Sequence, residues 1–358
     1  MTKEISEEYV QLSNLSITNL LQCLEESNVK QNFKESISEK DYNLILKEMR
    51  NESTIIGMRD LHNWIKLVLI SNCINFTKQQ IKPREISLLD IAVGRGGDLA
   101  KWNKSDVKYV FGFDSNDKSI NSTDQDNPGA IQRKIDFKGL KIEDVHFEVG
   151  DATTINQNNI SEFKSKHSLK GFQIVSCQFA LHYFFKSEQS LRKVLSLVSD
   201  NLVSGGLFIG TTLNGNNVKN LFKNISTKVY SSELFRIERK FPKRVVKEFG
   251  NEYTFTIFDT RDRSNYFNTM GVSTEYLVNF QVLEDLAKEY KLTPVKLNFF
   301  EDYKMGKTTK YTELKSNVMS FDTIYDLDKW KPRKDSRDIS DEELELNKLY
   351  STFVFQKK

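Results

Sequence analysis

The sequence predicts an α/β fold, a doubly wound, mostly parallel sheet with helices on both faces. Two observations carry this. From residue 83 to residue 212 short apolar runs alternate with helical patterns, the spacing of strands joined by crossover helices. In addition, the runs end in acids, glycine turns or aromatics, the residue types that an open α/β sheet gathers at the C-terminal ends of its strands to hold a ligand.

The elements follow in order. Residues 1–53 are polar and form a helical extension or a linker, and a second unit runs from 54 to 358. Leu61, Trp64, Ile65, Val68 and Leu69 fall at i, i+3, i+4, i+7 and i+8, the stripe of an amphipathic helix. Arg59, His62, Asn63 and Lys66 share its other face, which taken alone reads as solvent-exposed. The first strand runs through Leu88–Ile91 into Ser87–Asp98 (SLLDIAVGRGGD), a tight turn whose amides can approach a ligand. A dinucleotide fingerprint would need glycine where Leu99 stands, so a nicotinamide cofactor is disfavoured.

Lys108–Asp114 is the second strand. Asp114 lies twenty residues beyond Gly94, where nucleotide-binding sheets place the carboxylate that accepts from ribose hydroxyls. Val145–Val149 and Phe172–Gln178 follow, the first leading to Asp151 and the second into FALHYFF. A helix to about Leu202, a turn at Ser204-Gly205-Gly206 and a fifth strand, Leu207–Thr212, complete the core. An insertion at about 213–282 holds a basic stretch, Arg236–Lys247, read either as a phosphate track or as a solvated loop. It also holds two alternating runs, Glu252–Phe258 and Ser273–Val278, that pair as a β-ribbon. A helix near Gln281–Tyr290, a strand near Val295–Phe300, an acidic helix at Asp341–Lys348 and a strand at Tyr350–Phe355 close the chain.

Composition bounds the function. The 25 Phe and 13 Tyr favour a folded core over disorder, and a net charge of +3 permits an RNA partner without requiring one. Cys23, Cys73 and Cys177 have no metal-ligand or disulfide-framework spacing, so no metal is expected. No apolar run is long enough for a membrane span, and the expected setting is intracellular.

The motifs MRDLHNWIK, LDIAVGRGGDL, FGFD, SCQFALHYFF, SGGLFIGTT, STEYLVNF and LYSTFVF stand in the order and at the spacing of one family. From about Thr54 onward the chain resembles the mRNA cap guanine-N7 methyltransferases, and within them the methyltransferase domains of large DNA virus capping enzymes, such as that of African swine fever virus. The resemblance implies a class I, Rossmann-like methyltransferase fold with an inserted lid region. It implies S-adenosylmethionine as methyl donor, S-adenosylhomocysteine as product and a GpppN-capped RNA 5′ end as acceptor. Guanylyltransferase and triphosphatase domains of the same capping enzyme are implied partners. The setting would be a viral factory or virion for a viral enzyme, or the nucleus for a cellular one.

Carried over by position, the resemblance puts Lys66, Ala92, Gly94 and Asp98 around the methionine end of the donor. Asp114 falls on its ribose and Asp151 on its adenine, with Gln178 and Phe179 on the floor between the two pockets. His182, Tyr183, Tyr253, Glu275 and Tyr350 fall on the cap guanine, and Arg59 and Arg95 on the cap phosphates. Three positions depart from the family pattern. Ala92 replaces the first glycine, Leu213 stands where proline is usual, and no basic residue appears from Asn121 to Gln132 for the triphosphate contact, so that either Arg133 substitutes or the contact is missing. Guanine N7 carries no proton, so His182 is not expected to act as a base. Its task, like that of Glu275 and Tyr183, is orientation. Two other readings stay open: a degenerate fold that binds capped RNA without turnover, and a methyltransferase of another substrate.

Overall fold

The computed structural model describes residues 53–124, 127–244, 246–259, 272–295, 297–298, 315–325, 330–331 and 338–358. The expected N-terminal extension lies outside them, apart from Ser53. A compact unit spans Thr54–Lys358.

Its centre is a sheet of alternating β/α units. Strand β1 (Ile86–Ile91) is buried at all six positions, as a strand covered on both faces must be. It pairs in parallel with β2 (Val107–Asp114) and with β4 (Phe172–Gln178). Strand β3 (Asp144–Val149) extends the sheet beyond β2, and β5 (Leu202–Leu213) extends it beyond β4. Strand β14 (Tyr350–Lys357) then pairs antiparallel with β5. Its far edge carries β10 (Leu292–Pro294) and β13 (Val318–Ser320). The order β10-β14-β5-β4-β1-β2-β3, with β14 reversed, is the doubly wound, mostly parallel sheet that the sequence predicts. The chain leaves β1 on one side for β2 and returns on the other as β4, so the crevice at their C-terminal ends is the switch point.

The period of two divides the core in half. Leu88, Val110, Ile174 and Ile209 join one apolar cluster with helix α1 (Ile56–Ile81). Their neighbours Leu89, Phe111, Val175 and Phe208 join a second on the opposite face. The second cluster includes Leu191, Val194, Leu195 and Val198 of helix α7 (Glu188–Asn201). The first turn of α1 has no side-chain cap of its own. Glu343, at the start of helix α11 (Asp341–Asn347), accepts the Met58 N–H at 2.9 Å and replaces it.

Two expectations change. Ser204-Gly205-Gly206 is not a turn before β5 but lies within it, where the pairing with β4 shifts register between Phe172 and Ile174 and Gly205 takes φ 80°. The strand expected near Val295–Phe300 divides into β10 and a separate pair, β11 (Leu297–Asn298) with β12 (Lys315–Ser316). Pro294 ends β10 on the sheet edge, the place where a residue without an N–H is tolerated. Residues 299 and 300 lie outside the description.

The insertion opens with α8 (Gly215–Leu221) and forms a four-stranded antiparallel sheet. Its strands are β6 (Val229–Ser231), β7 (Phe235–Arg239), β8 (Glu252–Ile257) and β9 (Ser273–Tyr276). The expected ribbon is its β8–β9 half. Among its described residues, Phe235, Ile237, Tyr253, Phe255 and Ile257 join the same core as α1.

Candidate active site

Both chain segments at the switch point enter it in a strained conformation. Ala92, the residue after β1, has φ 60°, and Phe179, the residue after β4, has φ 56°. The left-handed region costs a residue with a Cβ roughly 1–2 kcal/mol, and such strain collects at functional sites. Gly94 also has a positive φ, 54°, and a Cβ added there or at Gly97 would meet nothing within 4 Å. The turn therefore presents bare backbone to open space. Ala92 adopts the conformation that the usual glycine would take, so the departure from the motif leaves the turn intact. Ala92→Gly is expected to hold or raise stability by up to about 1 kcal/mol, strain relief being partly offset by the freer unfolded chain. Ala92→Val should lower it, and urea unfolding midpoints decide.

Acids and lysines line the same crevice. Asp98 Oδ1 is 2.6 Å from Lys66 Nζ and 2.8 Å from Lys101 Nζ. Burial alone would raise the Asp98 pKa, but the two ammonium groups overcome it and hold the carboxyl at about 2. Lys101 also donates to Asn63 Oδ1 at 2.9 Å. Asp114 accepts the Gly94 N–H at 2.9 Å on one oxygen and the Asn116 N–H at 2.9 Å on the other, tying β2 to the glycine turn. Asp151 is exposed and accepts from the Thr153 N–H at 2.7 Å and its hydroxyl at 2.6 Å. Gln178 is fixed by the Thr211 hydroxyl, which donates to its Oε1 at 3.0 Å. Phe179 lies between the two halves, with Lys66 Nζ 5.5 Å from its ring centroid on one side and Tyr350 edge-on at 5.5 Å.

Beyond Phe179 the inserted sheet supplies a buried acid. The β8–β9 register sets Tyr253 opposite Glu275, and the tyrosine hydroxyl donates to Glu275 Oε2 at 2.9 Å. Glu275 is 1% exposed, and burial raises its pKa to about 7 against the pull of hydrogen bonds from Tyr253 and Ser273. His182 Nε2 faces Glu275 Oε1 at 3.6 Å, too far for a hydrogen bond, and has no other partner among the described residues. Burial lowers the His182 pKa to about 3, so the ring is neutral and the contact is no ion pair near pH 7. Tyr183 is 42% exposed, its ring edge-on to His182 and its hydroxyl 3.1 Å from Ser273 Oγ. A carboxylate, a neutral imidazole and two tyrosines thus come together here, the mix of polar and aromatic groups from which small-molecule sites are built.

Arg59 lies 3.7 Å from the buried carboxylate of Asp259. Arg133 is held below the usual guanidinium value, first by burial and then by the like charges of Arg95 and Arg59. The three arginines repel one another, and the Asp259 carboxylate offsets the charge of Arg59. Arg95 also donates to the Asn127 carbonyl.

The structure therefore brings Lys66, Ala92, Gly94, Asp98, Asp114, Gln178 and Phe179 to one crevice. His182, Tyr183, Tyr253 and Glu275 gather at another, with Tyr350 beside Phe179. The solvent-exposed reading of the α1 face is corrected: His62 is buried, Arg59 and Lys66 are half-buried in ion pairs, and only Asn63 is exposed. Sequence reasoning missed two residues. Lys101 carried a signal, the i,i+3 spacing from Asp98. His62 carried none: its ring stacks on Phe179 at 5.2 Å, meets Tyr350 edge-on at 4.8 Å and donates from Nε2 to Asn347 Oδ1 at 2.6 Å. Leu213 is buried at the end of β5, opposite Tyr350. In the basic stretch Arg239 is buried, donates to the Phe241 carbonyl at 2.8 Å and covers the Phe222 ring, so it belongs to the insert's packing.

Comparison with known proteins gives concordant relatives. The chain is 29% identical over 322 residues to mRNA cap guanine-N(7) methyltransferase 1 of Oryza sativa subsp. japonica, spanning 87% of this chain and 77% of that one. It is 27% identical over 320 residues to the mRNA cap guanine-N(7) methyltransferase of Schizosaccharomyces pombe, spanning 86% and 78%. With the Caenorhabditis elegans enzyme of the same name it shares 32% identity over 226 residues, 60% of this chain and 56% of that one. The matched family is the mRNA (guanine-N(7))-methyltransferase domain, over residues 24–358, a span that starts upstream of the boundary expected at residue 54. With a match of that length behind it, the chain belongs to the mRNA (guanine-N(7))-methyltransferase domain family.

Proposed function

We propose that this chain transfers a methyl group from S-adenosylmethionine to N7 of the guanine in a GpppN-capped RNA. One observation carries the reading of the site: a buried, hydrogen-bonded carboxylate, Glu275, stands with a neutral histidine across Phe179 from an acid-and-glycine crevice. The open space over Gly94 and Gly97 and the two lysines on Asp98 suit the methionine end of the donor. Asp114 is assigned to the ribose hydroxyls, Asp151 to the adenine edge, and Gln178 and Phe179 to the floor.

S-adenosylmethionine, when bound, supplies the methyl group on a positively charged sulfur. The remaining work is alignment. N7 offers a free lone pair, so no residue needs to remove a proton, and fixing two reactants in line is worth about 7–11 kcal/mol of barrier. Glu275 accepts from guanine N1 and N2, donors that adenine does not present together, and leaving this carboxylate unpaired against the wrong base is costly. As positive charge moves onto the guanine, the same carboxylate gains stabilising energy that it lacks in the ground state. Tyr183 stacks on the base, and Tyr350 lines the pocket floor beside Phe179. Arg59, Arg95 and Arg133 are assigned to the phosphates of the cap bridge.

A GpppN end is the product of triphosphatase and guanylyltransferase steps, so domains with those activities are the proposed partners, in one capping enzyme or beside it. The proposed setting is the nucleus for a cellular enzyme and the cytoplasm for a viral one. Among the described residues no helix is long and apolar enough to cross a membrane.

The test uses labelled S-adenosylmethionine with RNA ending in GpppA or in m7GpppA. Label recovered in m7GpppA from the unmethylated RNA alone supports the assignment. Label from both RNAs moves the target elsewhere, and binding of both ligands without turnover reduces the chain to a recognition module.

A further inference from the structure

The segment from Lys219 to Glu248 carries nine lysines and arginines against three glutamates, a net of +6 in a chain whose total is +3. The remainder of the chain is therefore net acidic, and the positive charge is concentrated in the inserted sheet and its β7–β8 loop. Lys223, Lys228, Arg236, Lys240, Lys243, Arg244 and Lys247 are all exposed. Along β7, Phe235, Ile237 and Arg239 turn inward while Arg236, Glu238 and Lys240 alternate outward. Glu238 is offset by Lys240 at 2.6 Å and Arg236 at 3.9 Å, and its pKa is lowered by Lys240 first, then by Arg236 and Lys228. Among the described residues it is the one acid on that strand face, where Arg236 and Lys240 outnumber it two to one.

The loop is fixed beside the acceptor crevice. The Lys240 N–H donates to the Glu252 carbonyl at 2.8 Å, one residue from Tyr253. The Lys247 backbone exchanges two hydrogen bonds with the Asn251 side chain, 3.0 and 2.6 Å, and the Gly250 N–H donates to the Phe185 carbonyl at 3.0 Å. One end thus hangs from the strand that holds Tyr253, the other from the block that holds His182. The arginines assigned to the cap bridge lie on other elements, so this second set of cations is not needed for the cap itself.

We propose that the rim formed by Lys240, Lys243, Arg244 and Lys247, with Arg236 and Lys228 behind it, binds the sugar-phosphate backbone of the nucleotides that follow the cap. The inference rests on the function proposed above. RNA is the occupant favoured because the acceptor is the end of a chain with one negative charge per nucleotide, and the cations adjoin the crevice from which that chain leaves. Contacts of this kind position a strand without reading its sequence.

The experiment compares the full chain with a Lys240→Gln, Arg244→Gln, Lys247→Gln variant on two acceptors, the GpppA dinucleotide and a GpppA-capped RNA of about twenty nucleotides, across a salt series. KM for the capped RNA should rise roughly tenfold at low salt with KM for the dinucleotide unchanged, and the salt slope should fall by about 0.7 for each charge removed. Glu238→Gln, which adds net positive charge, should move KM for the RNA in the opposite direction. Equal KM changes on both acceptors, or none on the RNA, overturn the proposal. Affinity for the same RNA with an uncapped 5′ triphosphate, read by fluorescence anisotropy, separates the two hypotheses. If the parent turns over neither acceptor the cap assignment falls, while loss of RNA affinity in the variant still supports the rim. Displacement of polyaspartate but not of RNA by the substitutions would assign the rim to an acidic protein and overturn it.

Discussion

Replacing Glu275 by alanine is expected to lower kcat/KM for GpppA-ended RNA by about 10²–10³-fold, the usual effect of removing one preorganised charge-stabilising group. Affinity for S-adenosylmethionine, read by calorimetry, should not change, because Glu275 lies on the inserted sheet beyond Phe179. The pH profile gives an independent reading. Burial lifts this carboxyl to about 7 in the free protein, and the ionised form is the one that accepts from guanine. The kcat/KM profile should therefore rise through neutral pH and level off above it. Glu275→Gln should flatten that limb. Stability runs the other way. A folded value raised above 4.5 favours the folded state when the group is protonated, so its contribution is complete below 4.5 and lost as pH rises through about 7. Glu275→Gln should accordingly be at least as stable as the parent in alkaline buffer while remaining slow. A parent-like kcat/KM would remove the residue from the acceptor site.

The largest loss of stability should follow Asp98→Ala. Lys66 and Lys101 both point at one carboxylate oxygen, and without it two largely buried ammonium groups face each other. Breaking a buried pair by deleting one partner typically costs about 3–5 kcal/mol. Adding Lys101→Met to Asp98→Ala removes one of the stranded charges and should recover part of the loss, a coupling that a double-mutant cycle measures. Full recovery by adding Lys66→Met instead would show that Lys101 is not stranded. Because the folded pKa of Asp98 is lowered from 3.8 to about 2, its contribution is present above 3.8 and disappears as pH falls through about 2. Thermal unfolding of parent and variant should converge in that acid range.

The core sheet was legible because its signals are local. Apolar runs such as LLDI and FQIVSCQ are strand-length, and each is punctuated by a turn or an acid. The bulge around Gly205 was not legible, since glycines interrupt a strand and end one with the same letters, and only pairing with β4 distinguishes them. The site divides in the same way. The carboxylates at strand ends follow from topology, but Glu275 sits on a short alternating strand whose inward face is fixed by packing far along the chain. His62 was hidden for a related reason. Its partners Phe179, Tyr350 and Asn347 come from distant elements, so nothing in the local pattern of α1 distinguishes it from Asn63 beside it. Arg133 could be singled out by elimination, but its nearness to Arg59 and Arg95 depends on how three separate elements meet.

The pairing of Tyr253 with Glu275 has a consequence for how this protein can change length. Side chains alternate along β9, so Glu275 faces inward only while its count from the pairing residues is preserved. Insertion or loss of one residue ahead of it would present Thr274 or Tyr276 to the pocket and turn the acid to solvent. Two residues at a time would restore the facing. Natural variation in this strand should therefore come in even steps, with odd steps absorbed outside it, whereas the glycine turn of the donor crevice has no such parity.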